Sequence, residues 1–462
     1  MELISLERPE RSLFWTAPVT DTGEMTTEDP LGLDYVAQQV GLLMLPTLTT
    51  RSTRAQAYAM VLYGLSLAEK AVDRFGYPNN DETKRQLFER WERFWALATL
   101  EYRGGNLPRG DWDNMRGVRG AKAAWKTGDG PLPLDFPLIS RQQELGNLGA
   151  YLAPLRRAGL VADGSLKPTP GADKIVNNFW DEHGGNRHLG RYEEYAFAAL
   201  DLNQKKIARK HDNGITLRRI GERSRLLSLV ELRRKEQQQR LYSALFGNTQ
   251  DGTTHAIASF VEAASKGGVR EPRNMLTHTI EDQSAYMSSA LRDLLITARA
   301  FGDYMQQLAG AFDRVYTTVE QGGRIASSDE VAAIAFGSDA LANLRIASSN
   351  LLETPNVGEI RHFPMHGAAC LRLSEDLRDV NAASTALELL LGYHATVQRD
   401  RRRAKGWLRE EAGKLLLTVS SYTANPDTPR FPSFKLDVVR TLLTDTGQLP
   451  FDEVTMTPEM GS

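Results

Sequence analysis

The strongest chemical grouping in this chain is positive charge. Lys205, Lys206, Arg209, Lys210, Arg218, Arg219, Arg223, Arg225, Arg233, Arg234 and Lys235 fall in one stretch, against Asp212, Glu222 and Glu231. The whole chain has a formal net charge of -2, so this is a local excess, the kind that tracks a phosphate backbone and loosens steeply with salt. The same density also fits a solvated helix face paired with acids elsewhere. Arg399, Arg401, Arg402, Arg403, Lys405 and Arg409 lie near Trp407, joining charge to a ring that could stack on single strands. A lone tryptophan there equally suits a core.

A second grouping is Thr49-Thr50-Arg51-Ser52-Thr53-Arg54, which follows Pro46 and opens a helix. Hydroxyls are natural caps. Arginines are not, because a helix N-terminus already carries partial positive charge. The pair therefore calls for an anion, either an internal carboxylate or a bound phosphate. Thr50, Arg51 and Arg54 are the candidate anion-binding residues.

Metal chemistry is weakly signalled. His362, His366 and Cys370 are spaced by four, as on one helix face, but Pro364 breaks that helix and a fourth ligand is missing. Asp181, Glu182, His183 and His188 surround Gly184-Gly185 without the spacing of a zinc hydrolase. His394 falls on an apolar helix face and is expected to be a core histidine. No phosphate-binding loop, dinucleotide glycine fingerprint, nucleophile elbow or paired-cysteine spacing is found. No catalytic residue, metal or cofactor is assigned, and the reading leans away from an enzyme.

The element that would position these charges is written between Ser140 and Asp181. A short polar helix runs into a second one carrying Leu148, Tyr151, Leu152, Leu155 and Ala158 and stopping at Gly159. A tight Asp163-Gly164 turn separates Leu160-Val161-Ala162 from Leu166-Lys167-Pro168, and Thr169-Pro170-Gly171 opens a helix ending at Trp180. Helix, helix, hairpin, helix is the plan of a winged helix-turn-helix. Opposite its apolar stripe the second helix shows Gly146, Gly149, Ala150, Ala153 and Arg157, a smooth face on which another helix is expected to pack. Asn147, Arg156 and Arg157 at its margins and Lys167 in the hairpin are the candidate nucleic-acid contacts here, beside Lys205, Lys206, Arg209, Lys210, Arg218, Arg219 and Arg223. Base-edge reading wants more Arg, Lys, Asn or Gln than this face supplies.

Elsewhere the pattern is helical, with helices expected over 31–45, about 50–75 and 81–103. From Tyr286 to Glu320 the apolar residues Met287, Leu291, Leu294, Ala298, Phe301, Met305, Leu308, Phe312, Val315 and Val319 alternate by four and three, the seam of a coiled coil or bundle helix. Trp407-Leu408-Arg409 and Leu415 to Val419 flank Glu411-Ala412-Gly413, a β-hairpin signal, and a last helix lies near Phe434 to Leu443. The expected fold is mainly α. Its segments are an N-terminal arm (1–30), a helical domain (31–130), a winged-helix-like module (131–200), a basic helical connector (201–250), a long-helix bundle (251–400), and a hairpin with terminal helix and tail (401–462). With 462 residues, one cysteine (Cys370) and neither a secretory signal nor a membrane-length apolar run, the expectation is a cytoplasmic protein without membrane attachment.

Leu31-Gly32, the run Leu45 to Arg54, Gly149-Ala150-Tyr151, Ala158-Gly159-Leu160, and His394 through Val397-Gln398 with Trp407 resemble a poorly characterised prokaryotic family found in gene clusters for defence against phages and plasmids. The likeness departs after Arg54, where an aromatic pair gives way to Ala55-Gln56-Ala57-Tyr58. The resemblance implies a defence context and lends no catalytic residue. The expected function is a non-catalytic nucleic-acid-binding or sensing subunit, with DNA and other subunits as partners. A homo-oligomer through the long helices is a further expectation. A structural adaptor binding only protein, and a divergent nuclease or toxin, are the competing readings.

Overall fold

The computed structural model describes residues 29–105, 115–126, 130–180, 189–226, 234–247, 252–282, 287–402, 406–419 and 422–450. Most of the expected N-terminal arm, the Asp181 to His188 cluster, Arg233, Arg403, Lys405 and the end of the tail lie outside the described residues.

The described chain is mainly helical. In order it runs α1 (Leu33–Met44), α2 (Ala55–Phe75), α3 (Asp81–Tyr102), α4 (Val118–Trp125), β1 (Leu132–Pro133), α5 (Gln142–Leu145), α6 (Asn147–Arg157) and α7 (Asp173–Asn177). Next come α8 (Leu189–Leu200), β2 (Lys206–Ile207), α9 (Leu217–Arg223), α10 (Lys235–Tyr242), α11 (Gly252–Lys266) and α12 (Pro272–Asp282). The chain continues with α13 (Ser289–Gln321), β3 (Ile325–Ser327), α14 (Ser328–Ala335), α15 (Ser338–Leu352), α16 (Val357–Arg361) and α17 (Gly367–Arg378). Last are α18 (Ala383–Arg402), β4 (Leu408–Glu411), β5 (Lys414–Leu417) and α19 (Leu436–Asp445). Local signals set several boundaries. Asn80 caps α3 by accepting from the Thr83 N–H at 2.8 Å, and Gly76 ends α2 at φ 66°.

Two units are formed, each from two pieces of chain: Met1–Met44 with Arg270–Phe434, and Leu45–Val269 with Lys435–Ser462. In the first, α13 is central. Its buried residues include Leu291, Leu295, Ala298, Phe301, Met305, Leu308, Phe312, Val315 and Val319, joined by Tyr304 and Tyr316 on a second side. Leu295 takes the buried position expected of Leu294, which is only half-buried. The wide buried face follows from its neighbours: α1, α12, α14, α15 and β5 all pack on it. The seam read as a coiled coil is thus covered within its own unit. Gly302 and Gly310 let the returning chain lie close, since a Cβ at Gly302 would sit 2.2 Å from the Phe431 ring and one at Gly310 3.1 Å from Pro429.

The expected hairpin is β4–β5, with Leu408 opposite Leu417 and Glu411 opposite Lys414. A third strand, β3, adds to β5 with Ile325 opposite Leu416; its three residues sit between two helices and leave little period-two signal. His394 ties this unit together. Its ring Nδ1 lies 2.8 Å from the Pro30 carbonyl, and its Nε2 accepts from the Trp407 N–H at 2.9 Å. The ring is thereby fixed as the neutral Nδ1–H tautomer, and burial pushes it down to about 4.

In the second unit the core is aromatic. Tyr63 stacks on Phe179 with centroids 4.3 Å apart, its hydroxyl receives the Trp180 indole N–H at 2.7 Å, and Trp91 donates to the Met60 carbonyl at 3.0 Å. Gly64 is what admits Trp91, because a Cβ there would fall 2.1 Å from the indole.

Two outcomes are expected. Ala412 holds φ 50° beside Gly413 at φ 71°, a turn that asparagine tolerates better, so Ala412→Asn should raise stability by roughly 1 kcal/mol; an unchanged or lower thermal midpoint would count against the turn geometry. Protonating His394 removes its acceptor for Trp407. Because its folded pKa lies below its unfolded value, the unfolded chain takes the proton first, and stability should fall as pH drops from 6.5 towards 4, by on the order of 3 kcal/mol at most. Denaturant titrations across that range should lose this slope in His394→Asn.

Candidate nucleic-acid interface

The site begins with a helix end that its own sequence cannot cap. Arg54 occupies the N-cap of α2 with no capping side-chain bond. The cap arrives from α19: Asp445 Oδ2 accepts the Ala55 N–H at 2.9 Å, and its two oxygens take Arg54 Nε at 2.9 Å and Nη2 at 2.7 Å. The carboxylate satisfies the exposed amide and the guanidinium together. This corrects two expectations. The helix starts at Ala55 rather than about Thr50, and Arg54 is withdrawn as a free anion-binding residue because its anion is Asp445. Thr49 to Ser52 instead form a hydroxyl turn, with the Thr49 N–H donating to Ser52 Oγ at 3.1 Å. Thr50 and Arg51 are exposed, and Arg51 Nη2 donates to the Glu144 carbonyl at 2.9 Å.

Glu144 lies in α5, the first half of the segment read as helix-turn-helix. Gly146 joins α5 to α6, and there again a distant carboxylate caps: Glu92 of α3 accepts the Asn147 N–H at 2.6 Å and Gln142 Nε2 at 2.7 Å. Burial pushes the Glu92 carboxyl up from its ordinary value, opposed by these hydrogen bonds. The small residues are explained by this corner. A Cβ at Gly146 would lie 2.4 Å from the Gln142 carbonyl oxygen, and one at Gly149 2.2 Å from that of Glu144. The neighbour at both glycines is the short separate helix α5, joined at Gly146 by the Glu92 carboxylate of α3, 2.9 Å from that Cβ position.

Asn147 is only 2% exposed, which removes it from the contact set. Arg156 donates to the Ser165 carbonyl at 2.7 Å and Arg157 to the Pro46 carbonyl at 3.0 Å, while Lys167 is exposed. The turn region pairs Val161 with Pro168, and the Ala162 and Thr169 N–H groups donate to Lys167 and Leu160 carbonyls. The last helix, α7, ends at Asn177, so Phe179 and Trp180 enter the aromatic core instead of continuing it.

The cationic strip divides. Arg209 pairs with Glu101 and lies over the Trp125 ring, and Arg219 pairs with Glu222 at 2.6 Å. Arg225 is buried, donating to the Gly221 carbonyl and Thr99 hydroxyl over the Trp95 ring. Arg234 donates to the Asn178 and Phe179 carbonyls, at the end of α7. These four serve the fold, and Arg209 and Arg219 are accordingly corrected as free phosphate contacts because acids of the same unit hold them. Lys205 just before β2, Lys206 on it, Lys210 after it and Arg218 at the start of α9 are exposed, and no acid pairs with them among the described residues. The ribbon that holds Lys206 is short but registered, with Leu132 opposite Ile207 and Pro133 opposite Lys206, and the Leu134 N–H donates to the Lys205 carbonyl at 3.0 Å. Arg223 is half-buried with its Nε lacking a partner.

Sequence reasoning missed three contributors. Arg116 of the 115–117 turn donates Nη2 to the Arg51 carbonyl at 2.7 Å and Nη1 to that of Leu145 at 3.3 Å; it lies in a glycine-rich stretch without a pattern to mark it. Arg90 donates to the Ala199 and Asp201 carbonyls at the end of α8. Lys435 is 4% exposed and donates Nζ to the Leu45 and Leu48 carbonyls at 3.1 and 2.9 Å, and burial pushes it down to about 7. His362, His366 and Cys370 do not converge, and among the described residues no group of three His, Cys, Asp or Glu side chains is placed to hold a metal. Comparison of the chain with family models, with curated proteins and with solved structures finds no match.

Replacing Asp445 by Asn should leave the half-buried Arg54 against a neutral partner and cost about 3 kcal/mol. Chemical unfolding checks this, and an Arg54→Met, Asp445→Asn double variant should recover part of the loss. A cost under about 0.5 kcal/mol in the single variant would show that the pair contributes little.

Proposed function

We propose that this protein is a non-catalytic nucleic-acid-binding subunit of a multi-protein prokaryotic system, with DNA as ligand and anti-phage or anti-plasmid defence as context. The observation that carries the reading is the set Lys205, Lys206, Lys210 and Arg218, four exposed cations without an acid partner among the described residues. Lone surface cations cost little to keep, but four within fourteen residues, in a chain of near-zero net charge, make a local positive field suited to phosphates.

The α5–α6 pair, the turn region after it and α7 are read as a winged helix-turn-helix that holds this unit on the duplex. Its outward residues on α6 are Gly149, Ala153 and Arg157, which supply no amide and one guanidinium. Binding is therefore through backbone phosphates rather than base edges. The resemblance to defence-associated proteins supplies the context, in which partner subunits perform the catalysis. The absence of a helix among the described residues long and apolar enough to cross a membrane is compatible with a cytoplasmic role.

Electrophoretic shifts of labelled duplex and single-stranded DNA over a salt series test this. Binding should weaken linearly in log–log form, and changing Lys205, Lys206, Lys210 and Arg218 to Ala should reduce the slope by about 3 to 4. Unaltered binding and slope in that variant would transfer the protein to the adaptor class, in which its helical surfaces meet only protein.

A further inference from the structure

We propose that Arg51 and Arg116 form a binding site for one phosphoryl group, presented by a nucleic-acid backbone. Two guanidiniums reach adjacent carbonyls here, and among the described residues only backbone carbonyls hold them: Arg51 by Glu144, and Arg116 by Leu145 and by Arg51 itself. Like charges brought together cost energy unless an anion joins them. Among the described residues, the nearby carboxylates are otherwise engaged. Glu92 caps α6 through Asn147 and Gln142, Glu144 faces Arg141 at 3.3 Å, and Asp445 holds Arg54.

The environment sharpens the case. Arg116 is half-buried, and its Nε is buried without a hydrogen-bond partner. Burial is the main cause holding this guanidinium below its ordinary pKa, and the Arg51 cation adds to it while Tyr151 and Glu92 oppose. Arg51 is exposed and Thr50 beside it is exposed, so an anion can reach the pair from solvent. Carbonyl contacts fix the positions of both forks without neutralising them. A tetrahedral oxyanion with several acceptor oxygens matches two planar donor forks better than a single carboxylate or chloride.

The flanking residues place the site at the rim of the helix-turn-helix. Arg51 and Arg116 hold the last two carbonyls of α5, and Arg156, Arg157 and Lys167 follow on α6 and its turn region, engaged by carbonyls or by nothing acidic. The phosphate's owner rests on the nucleic-acid reading above; the anion site itself does not.

The experiment compares the full chain with Arg51→Ala and with Arg116→Lys, which keeps the charge and removes the fork. Thermal midpoints are followed against inorganic phosphate at constant ionic strength, with chloride as the balancing salt, and duplex binding is followed over a salt series. The wild type should show a saturable, phosphate-specific rise in midpoint that Arg51→Ala abolishes and Arg116→Lys weakens, and Arg51→Ala should lower the DNA salt slope by about 1. If the phosphate effect behaves so while the DNA slope is unchanged, the site takes a free phosphate compound and the backbone assignment is overturned. If the wild type binds no DNA yet shows the phosphate effect, the nucleic-acid reading fails while the anion site stands. If phosphate stabilises neither more than chloride nor less in Arg51→Ala, with circular dichroism unchanged, the site does not exist.

Discussion

The bond on which the second unit most depends is the three-way contact among Asp445, the Arg54 guanidinium and the Ala55 amide. One buried carboxylate closes the open end of α2, the helix against which α3, α6, α7 and α8 all pack. A helix N-terminus and an arginine are both positive, so placing them together is stable only with a shared anion. The sequence around Arg54 contains none, and the fold brings it from 391 positions away. The approach of α6 then follows, because the Arg54 N–H donates to the Tyr151 hydroxyl, whose ring meets Tyr58 edge-on at 4.9 Å.

The same rule recurs in both signs. Carboxylates from distant helices close amino ends, Asp445 for α2 and Glu92 for α6. Guanidinium and ammonium groups close carboxyl ends and turns, Arg90 after α8, Arg225 and Arg234 at α9 and α7, and Lys435 at the 45–48 turn. Each uses a long side chain to reach carbonyls at a helix end or in a turn. Cations outside this scheme stand out against it, and the functional reading concerns those.

Helices and their periodic stripes were largely legible. The α13 stripe, the β4–β5 hairpin around Ala412-Gly413 and the Asp163-Gly164 turn all rest on local spacing, which a single chain displays. The status of each arginine was not legible. Arg209 and Lys210 are neighbours of the same charge, yet one meets Glu101 and the other meets solvent, because β2 and the turn after it point them differently. Gly146 and Gly149 were legible only in part: small residues announce a close approach but not what approaches, here α5 and the Glu92 carboxylate of α3. Arg116 gave no signal, since its role comes from backbone carbonyls contributed by residues 51 and 145.

The chain order of the two units carries a consequence for synthesis. The unit that begins at Leu45 is interrupted after Val269 by the bulk of the other and is completed only by α19. While the ribosome is still making residues 270 to 434, the amino end of α2 has no Asp445, and the carbonyls of Leu45 and Leu48 have no Lys435. The nascent early half must wait, partly open and with Arg54 uncompensated, through some 165 further residues (270–434) before it can lock. Closure of this unit therefore waits on α19, a contact of long sequence separation formed only after residues 270–434 have been made.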